Sequence, residues 1–416
     1  MKKFALFLML TAGFAMVSCD SDNEVPTEEY QVAVPLTMSV EEFRNSVDII
    51  SPLPVEKSGK IYAYQDYIFV NDKYRGVHVI DNRNPASPQK IAFIKIPGNV
   101  DIAVKDNYLY ADSLRDLLVF DISNINQINL TNRLTDVLRD NIPWPFEADF
   151  VDYGGFGDGN EILIGWEVET RMMTEEEAAQ NFGSLLDDVF IQEAAFSDTS
   201  TGQGGSLARF NITGEYLYAV DSHSINVLDI SDLENPGDLE DVFAGFDIET
   251  IFSTGDRLFL GSMRGMYIYD ISSPAAPEFV SEFQHGTACD PIVVDGDYAY
   301  VTLRGGNGCG ALESGLFIVD ISDIYNPELA IEYPMDEPYG LGIKDEKLFV
   351  CDGSSGLKVY DKTDIENLVS LDHFDDIVTF DVIPLENNLL MIGEEVLYQY
   401  EYQEDNINLI STLQLD

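Results

Sequence analysis

Basic residues are scarce in this 416-residue chain: 23 Lys and Arg stand against 74 Asp and Glu, a formal charge of −51. A surface of that sign repels nucleic-acid phosphates and anionic headgroups, which excludes binding to either through a general electrostatic footprint. Cations, basic proteins and neutral glycans stay open as partners. So does an acidity that serves only solubility in a salty habitat. Histidine is nearly missing too, with His78, His223, His285 and His373 the full set. No Gly-x-Ser-x-Gly, His-Glu-x-x-His or Walker-type loop occurs, so the usual local signatures of nucleophilic, zinc-dependent and nucleotide-dependent catalysis are absent. Paired carboxylates for glycoside chemistry stay open in so acidic a chain, but no spacing singles out a pair. Disorder is excluded, because 45% of the residues are hydrophobic and 11% aromatic.

The N-terminus reads as a targeting segment. Lys2 and Lys3 form a positive leader, and Phe4 to Val17 is an apolar stretch too short to span a bilayer stably. The following "MVSC" resembles a bacterial lipobox, which implies a signal peptide over 1–18 and diacylglycerol plus an amide-linked acyl chain (palmitate-type) on Cys19. Next comes "DSDNE", so residues 19–32 are expected to be an acidic tether. Acid directly behind the lipidated Cys resembles the surface-export signal of Bacteroidota lipoproteins and implies the outer face of the outer membrane. A plain linker, with the protein facing the periplasm, is the alternative.

The remainder, 33–416, repeats itself. Aligning on one aspartate gives "GVHVID" ending at Asp81, "DLLVFDIS" at Asp121, "SINVLDIS" at Asp229, "GMYIYDIS" at Asp270, "GLFIVDIS" at Asp320 and "GLKVYD" at Asp361, with "VLYQYE" as a degenerate seventh copy. Most copies are about 40 residues apart, a spacing typical of repeat architectures. Within a copy, period-two apolar runs are broken by Gly, Asn, Asp and Pro, the pattern of short antiparallel strands joined by hairpins. Helical periodicity is confined to 38–47 and 174–182. One four-stranded unit cannot cover both its faces, whereas a closed ring of them can. The expected fold is therefore all-β, a β-propeller of seven four-stranded blades. The six aspartates are expected to be turn anchors, accepting backbone N–H groups beyond the third strand.

The recurring motif resembles the LVIVD-repeat family, which implies a propeller, often on a bacterial lipoprotein, and no common reaction. One interval breaks the rhythm, Asp121 to Asp229, and makes 138–204 a long insertion; an eighth, incomplete blade is the alternative. The run "SVDIISPL" at 46–53 is a candidate partner for the last blade.

In a propeller the loops leading into first strands and those joining second to third strands open on one face. Cys289 and Cys309 fall in two such loops of one unit, and an oxidising compartment favours a disulfide between them. It would contribute on the order of 3 kcal/mol by loop closure. A metal site using His285 with these cysteines is the rival. The same face gathers Trp144, Glu147, Asp149, Asp247, Glu249, Asp290, Arg304, Tyr339 and Asp381, with Asp101 at the same level. Carboxylates converging on an axis suit calcium or a basic partner group; a hydrated mouth without an occupant is the alternative. Aromatic and Arg side chains suit contact. No cofactor is called for. The functional expectation is a non-catalytic, lipid-anchored platform for an envelope protein or glycan, with a carbohydrate-active hydrolase or lyase as the alternative. Mass spectrometry after alkylation without reductant is expected to leave Cys289 and Cys309 unmodified; two alkylated thiols would remove the disulfide.

Overall fold

The computed structural model describes residues 27–138, 148–155, 161–174, 177, 183–184, 203–246, 248–284, 291–305, 314–404 and 406–416. Strands dominate, and the repeated Asp-Ile-Ser shows how they are punctuated. Each carboxylate accepts the N–H two residues on: Arg83 to Asp81 at 3.1 Å, Ser123 to Asp121 at 2.8 Å, Ser231 to Asp229 at 2.9 Å, Ser272 to Asp270 at 2.7 Å, Ser322 to Asp320 at 2.9 Å and Thr363 to Asp361 at 2.8 Å. The residue between turns its own N–H back to the first hairpin of the sheet, as Ile122 does to Asn107 O and Ile230 to Glu215 O. Its isoleucine side chain is buried. Asp holds the turn, Ile fills the core, and Ser or Thr supplies a second donor through its hydroxyl.

Glycine opens several third strands for a steric reason. Gly76 and Gly265 have φ of 142° and 154°, and a Cβ on either would collide with a carbonyl of the adjacent fourth strand. Sheet 1 illustrates the unit: Ser58–Tyr64, Tyr67–Asp72, Gly76–Asp81 and Gln89–Lys95, each antiparallel to the next. Sheets 2 to 7 begin with Ile102–Lys105, Phe210–Thr213, Ile248–Thr254, Ile292–Asp295, Leu341–Lys344 and Thr379–Pro384. These first strands neighbour one another in sequence order, and the seventh returns to the first. The closed circuit of radially packed antiparallel sheets is a β-propeller.

The core lies between sheets. One cluster joins the ends of the chain, with Ile61, Ile68 and Ile80 of sheet 1 against Ile383, Leu390 and Leu415 of sheet 7. Hydrogen bonds between sheets converge on one repeated atom, the carbonyl four residues after the anchoring aspartate. Tyr110 Oη donates to Leu233 O at 2.9 Å, Tyr218 Oη to Pro274 O at 2.9 Å, Ser281 Oγ to Ile324 O at 2.6 Å, Tyr333 Oη to Ile365 O at 2.6 Å and Ser411 Oγ to Pro85 O at 2.6 Å. The last of these crosses the seam between sheets 7 and 1. It is supported there by Asn82 and Gln399, whose amides exchange bonds of 3.1 and 2.7 Å, and by Val55 N to Leu415 O at 2.8 Å.

Two expectations are corrected. The tether was placed over 19–32, but a strand starts at Glu28; Glu28–Ser39 pairs along its length with Glu161–Met173 and in parallel with Phe150–Val151. The strand-like runs of the insertion therefore form, with Gly183–Ser184, a separate four-stranded sheet built on the N-terminal strand. Second, Asp48–Ile50 pairs with the outer strand of sheet 1, Gln89–Lys95, and not with the last sheet. Between the two lies helix α1, Val40–Asn45, started by Ser39, whose Oγ accepts from Glu42 N at 3.1 Å. Its buried Phe43 lies beneath Arg133 of sheet 2.

The anchoring aspartates set an acid limit. Hydrogen bonds from Ser123, Ser231, Ser272, Ser322 and Thr363, and the Arg83 guanidinium at Asp81, hold all six carboxyls below their ordinary value. A depressed folded-state pKa stabilises in full above the unfolded value of about 3.9 and loses that contribution as pH falls through the folded value. Replacing Asp270, Asp320 and Asp361 together by Asn keeps an acceptor in each turn and removes the titration. Urea midpoints measured from about pH 5 down to about pH 3 are expected to fall less steeply for this variant than for the wild type.

Candidate functional site

The axis of the ring is occupied by the chain itself. Returning from the insertion, residues 203–209 cross the channel before entering the first strand of sheet 3. Gln203 and Gly204 pair with Ala63 and Tyr62 of sheet 1, and Gly205 N donates to Ile61 O at 3.3 Å. Ser206 N and Oγ reach Asp381 Oδ1 of sheet 7 at 3.2 and 3.3 Å, while Ser206 Oγ accepts from Leu341 N of sheet 6 at 2.7 Å. Ala208 O accepts from Ile251 N of sheet 4 at 3.3 Å. Arg209 N and Phe210 N, the latter at 3.0 Å, donate to Asp101 Oδ2 at the head of sheet 2. Contact with first strands on opposite sides of a ring is possible only from inside it.

This settles what two expected binding carboxylates do. Asp101 and Asp381 are buried. Asp101 also faces Lys60 Nζ at 3.3 Å, with both side chains at most 5% exposed. The mouth expected to be hydrated or to hold a cation is filled by backbone donors, and glycine makes the fit. A Cβ on Gly205 would overlap the Asp381 carboxylate, and one on Gly340 would lie 2.9 Å from Ser206 Oγ.

A second set of carboxylates escapes sequence reasoning. At the ends of second strands, Asp72 accepts from Glu56 N and Lys57 N, Asp112 from Val100 N and Asp101 N, and Asp352 from Asp336 N and Glu337 N. Each clamps the loop leading into the first strand of its own sheet. Where such an Asp is present, a residue near the start of the facing strand often supplies a donor: His78 Nε2 lies 3.3 Å from Asp72, Asn226 Nδ2 donates to Asp221 at 3.0 Å, and Lys358 Nζ to Asp352. Sheets 4, 5 and 7 end their second strands with Ser262, Leu303 and Gly393 and carry Tyr267, Phe317 and Tyr398 at that place. The readable signal is this pairing within a copy, Asp with a polar donor and otherwise an aromatic. The partners also decide the charge: burial acts to raise Asp72, but His78, the two N–H donors and Arg75 hold it below the ordinary value, whereas at Asp112 burial prevails and raises it.

The loop face surrounds this filled centre. Helix α1 is fixed to it by Arg44, whose Nε lies 3.2 Å from Asp116 in the turn between second and third strands of sheet 2. The ring of Tyr74, in the matching turn of sheet 1, lies against Gly165 of the insertion sheet. Among the described residues, two aromatic stations remain on the face. Arg304 stacks 3.9 Å above the Tyr339 ring, with Phe380 edge-on at 5.2 Å; burial raises the Tyr339 hydroxyl although Arg304 opposes it. At sheets 3 and 4, Phe243 and Phe246 meet edge to face at 5.6 Å, 62% and 51% exposed, with Arg264 over Phe246 and His223 beside it.

Of the other expected face residues, Glu249 is buried within Ile248–Thr254. Asp149 is corrected: it precedes Phe150–Val151 in the insertion sheet, where its Oδ2 accepts from Gln31 N at 2.8 Å, so it does not head a ring strand. Cys19, Trp144, Glu147, Asp247, Cys289, Asp290 and Cys309 lie outside the described residues. Cys351 is buried, its thiol pushed up by burial. Among the described residues, no three His, Cys, Asp or Glu side chains are grouped to hold a metal ion, and no helix is long and apolar enough to cross a membrane.

Ring and repetition define the class, a repeat-built β-propeller. The repeat itself is LVIVD, present at 57–92, 98–136, 204–241 and 285–334. No curated protein matches the sequence significantly. Solved structures similar to this chain include Hsv2 of Kluyveromyces lactis (10% identity, 86% of this chain and 100% of that one, TM-score 0.49) and BamB of Moraxella catarrhalis (7%, 90% and 99%, 0.48). PorZ of Porphyromonas gingivalis, described as an essential surface component of the type-IX secretion system, is similar at 14% identity over 87% of this chain and 39% of that one, with a TM-score of 0.48.

Asp101→Ala, which strands Lys60 in the interior, is expected to cost about 3–5 kcal/mol. Adding Lys60→Met should recover part of that loss, as read from urea denaturation of the single and double variants.

Proposed function

We propose that the protein is a non-catalytic β-propeller, anchored in the outer membrane through lipid on Cys19, whose loop face is a binding or assembly platform for an envelope protein or glycan. The observation that supports this most is the filled channel. Asp101 and Asp381, the described carboxylates best placed for axial chemistry, each accept the chain's own backbone N–H groups. What remains for contact is the rim, with its insertion sheet and the Arg304–Tyr339 and Arg264–Phe246 stations. Aromatic and Arg side chains of this kind dominate contact energetics. The acidic stretch behind Cys19 supports an orientation toward the cell surface, the periplasmic face being the alternative.

The reading is tested in intact cells. A photoreactive residue replacing Phe246 or Tyr325, followed by crosslinking, is expected to give a stoichiometric protein or glycan adduct from the loop-face position; Tyr325 lies on the opposite face. Labelled palmitate should enter the wild type and not Cys19→Ala. Turnover of a polysaccharide panel that is lost on Asp290→Asn would replace the platform by a hydrolase or lyase. Chelation of calcium is expected to leave the thermal midpoint unchanged.

A further inference from the structure

Residues 203–209 behave toward the ring as a ligand. All seven sheets have their strands without them: sheet 3 begins at Phe210, and its outer edge is made by Gly237–Asp238 and Val242–Phe243. Elsewhere the chain passes around the ring from one fourth strand to the next first strand. Here alone among the described residues it arrives across the axis, because the preceding stretch has left for the insertion.

We propose that the axis is a peptide-binding site, filled in cis by Gln203–Arg209 and able, once that segment is displaced, to take in trans the same class of ligand: an extended peptide with two consecutive small residues, a hydroxyl residue and, three places on, an arginine. Each requirement has an atom behind it. The first residues add a short strand to the inner edge of sheet 1, through Ala63 and Tyr62, a recurring mode of peptide recognition. Two glycines are needed because Gly204 lies against Tyr62 and Ala208, and Gly205 against the Asp381 carboxylate. The serine N–H and hydroxyl bind Asp381, and its oxygen receives Leu341 N. The arginine N–H binds Asp101, and its side chain is buried in the ring. Gln203 Nε2 donates to Pro384 O at 3.1 Å at the mouth. Every receptor atom in this set belongs to sheets 1, 2, 6 or 7, and every ligand atom to the crossing segment, so occupancy and ring are separable.

Continuity with Phe210 gives the cis segment an effective concentration of about millimolar, so the wild type excludes a free peptide. Gly205→Ala damages the ligand and leaves the receptor whole. The test is fluorescence anisotropy of labelled synthetic peptide QGGSLARF on the full chain. Saturable binding to Gly205→Ala is expected, with none to the wild type, and at least about tenfold weaker binding of QGASLARF. No binding to a Gly205→Ala protein that keeps its far-ultraviolet spectrum, or equal binding of both peptides, overturns the proposal. Should Gly205→Ala fail to fold, hydrogen exchange of the wild type decides. Amides of Ser206 and Arg209 are expected to open at least about tenfold faster than those of Ile61 and Leu341's neighbours in the first strands. A single common rate for all of them overturns it.

Discussion

At five of the seven junctions between sheets, one repeated carbonyl carries the connection between neighbours. It lies four residues beyond the aspartate that ends the third strand, and a Tyr or Ser hydroxyl from the preceding sheet donates to it. The carbonyl can be met only if the turn beneath it has one shape. That shape is set by the Asx bond at the aspartate and by the N–H that the next residue returns to the first hairpin. Local turn chemistry thereby supports long-range geometry at five junctions, including those after Asp81-Asn82-Arg83 and Asp361-Lys362-Thr363, where the aspartate is kept and the Ile-Ser is not. The seam between the chain ends uses the same device through Ser411 and Pro85, so closure needs no strand exchanged between the first and last sheets.

The architecture was legible because its cause is short in sequence. Asp320 and Ser322 are two residues apart, and a repeat written several times averages out the ambiguity of any one strand. What was not legible depends on distance along the chain. Gln31 and Asp149, Ser206 and Asp381, and Asp101 and Arg209 are brought together across 118, 175 and 108 residues. Nothing local in "QGGSLARF" marks it as the filler of a channel, and "EEYQV" at the start of the first strand looks like tether until Glu161–Met173 lies beside it. Asp72, Asp112 and Asp352 lay between these extremes. Their backbone donors are within about one hairpin, and for Asp72 and Asp352 the signal was present in the pairing with His78 and Lys358.

Scarcity of positive charge shapes the interior more than the surface. Lys60 faces Asp101, Arg75 faces Asp72, Arg44 and Arg133 face Asp116, and Lys358 faces Asp352. Each of these aspartates is buried. A chain with three acidic residues for every basic one thus places a large share of its cations where an unpaired carboxylate would be most costly. The outside is left to repel, which keeps the molecule dispersed and weights recognition toward the few places where Arg stacks on an aromatic ring.

The ladder between Glu28–Ser39 and Glu161–Met173 has a mechanical consequence. Tension entering through the N-terminus runs along the first strand, parallel to the two chains and across their rungs, before it reaches helix α1 and the propeller. Rungs loaded in this shear direction must break together, whereas rungs peeled from one end break singly. A pull on that end would therefore have to shear Glu28–Ser39 from Glu161–Met173 as one unit before the strand could come away.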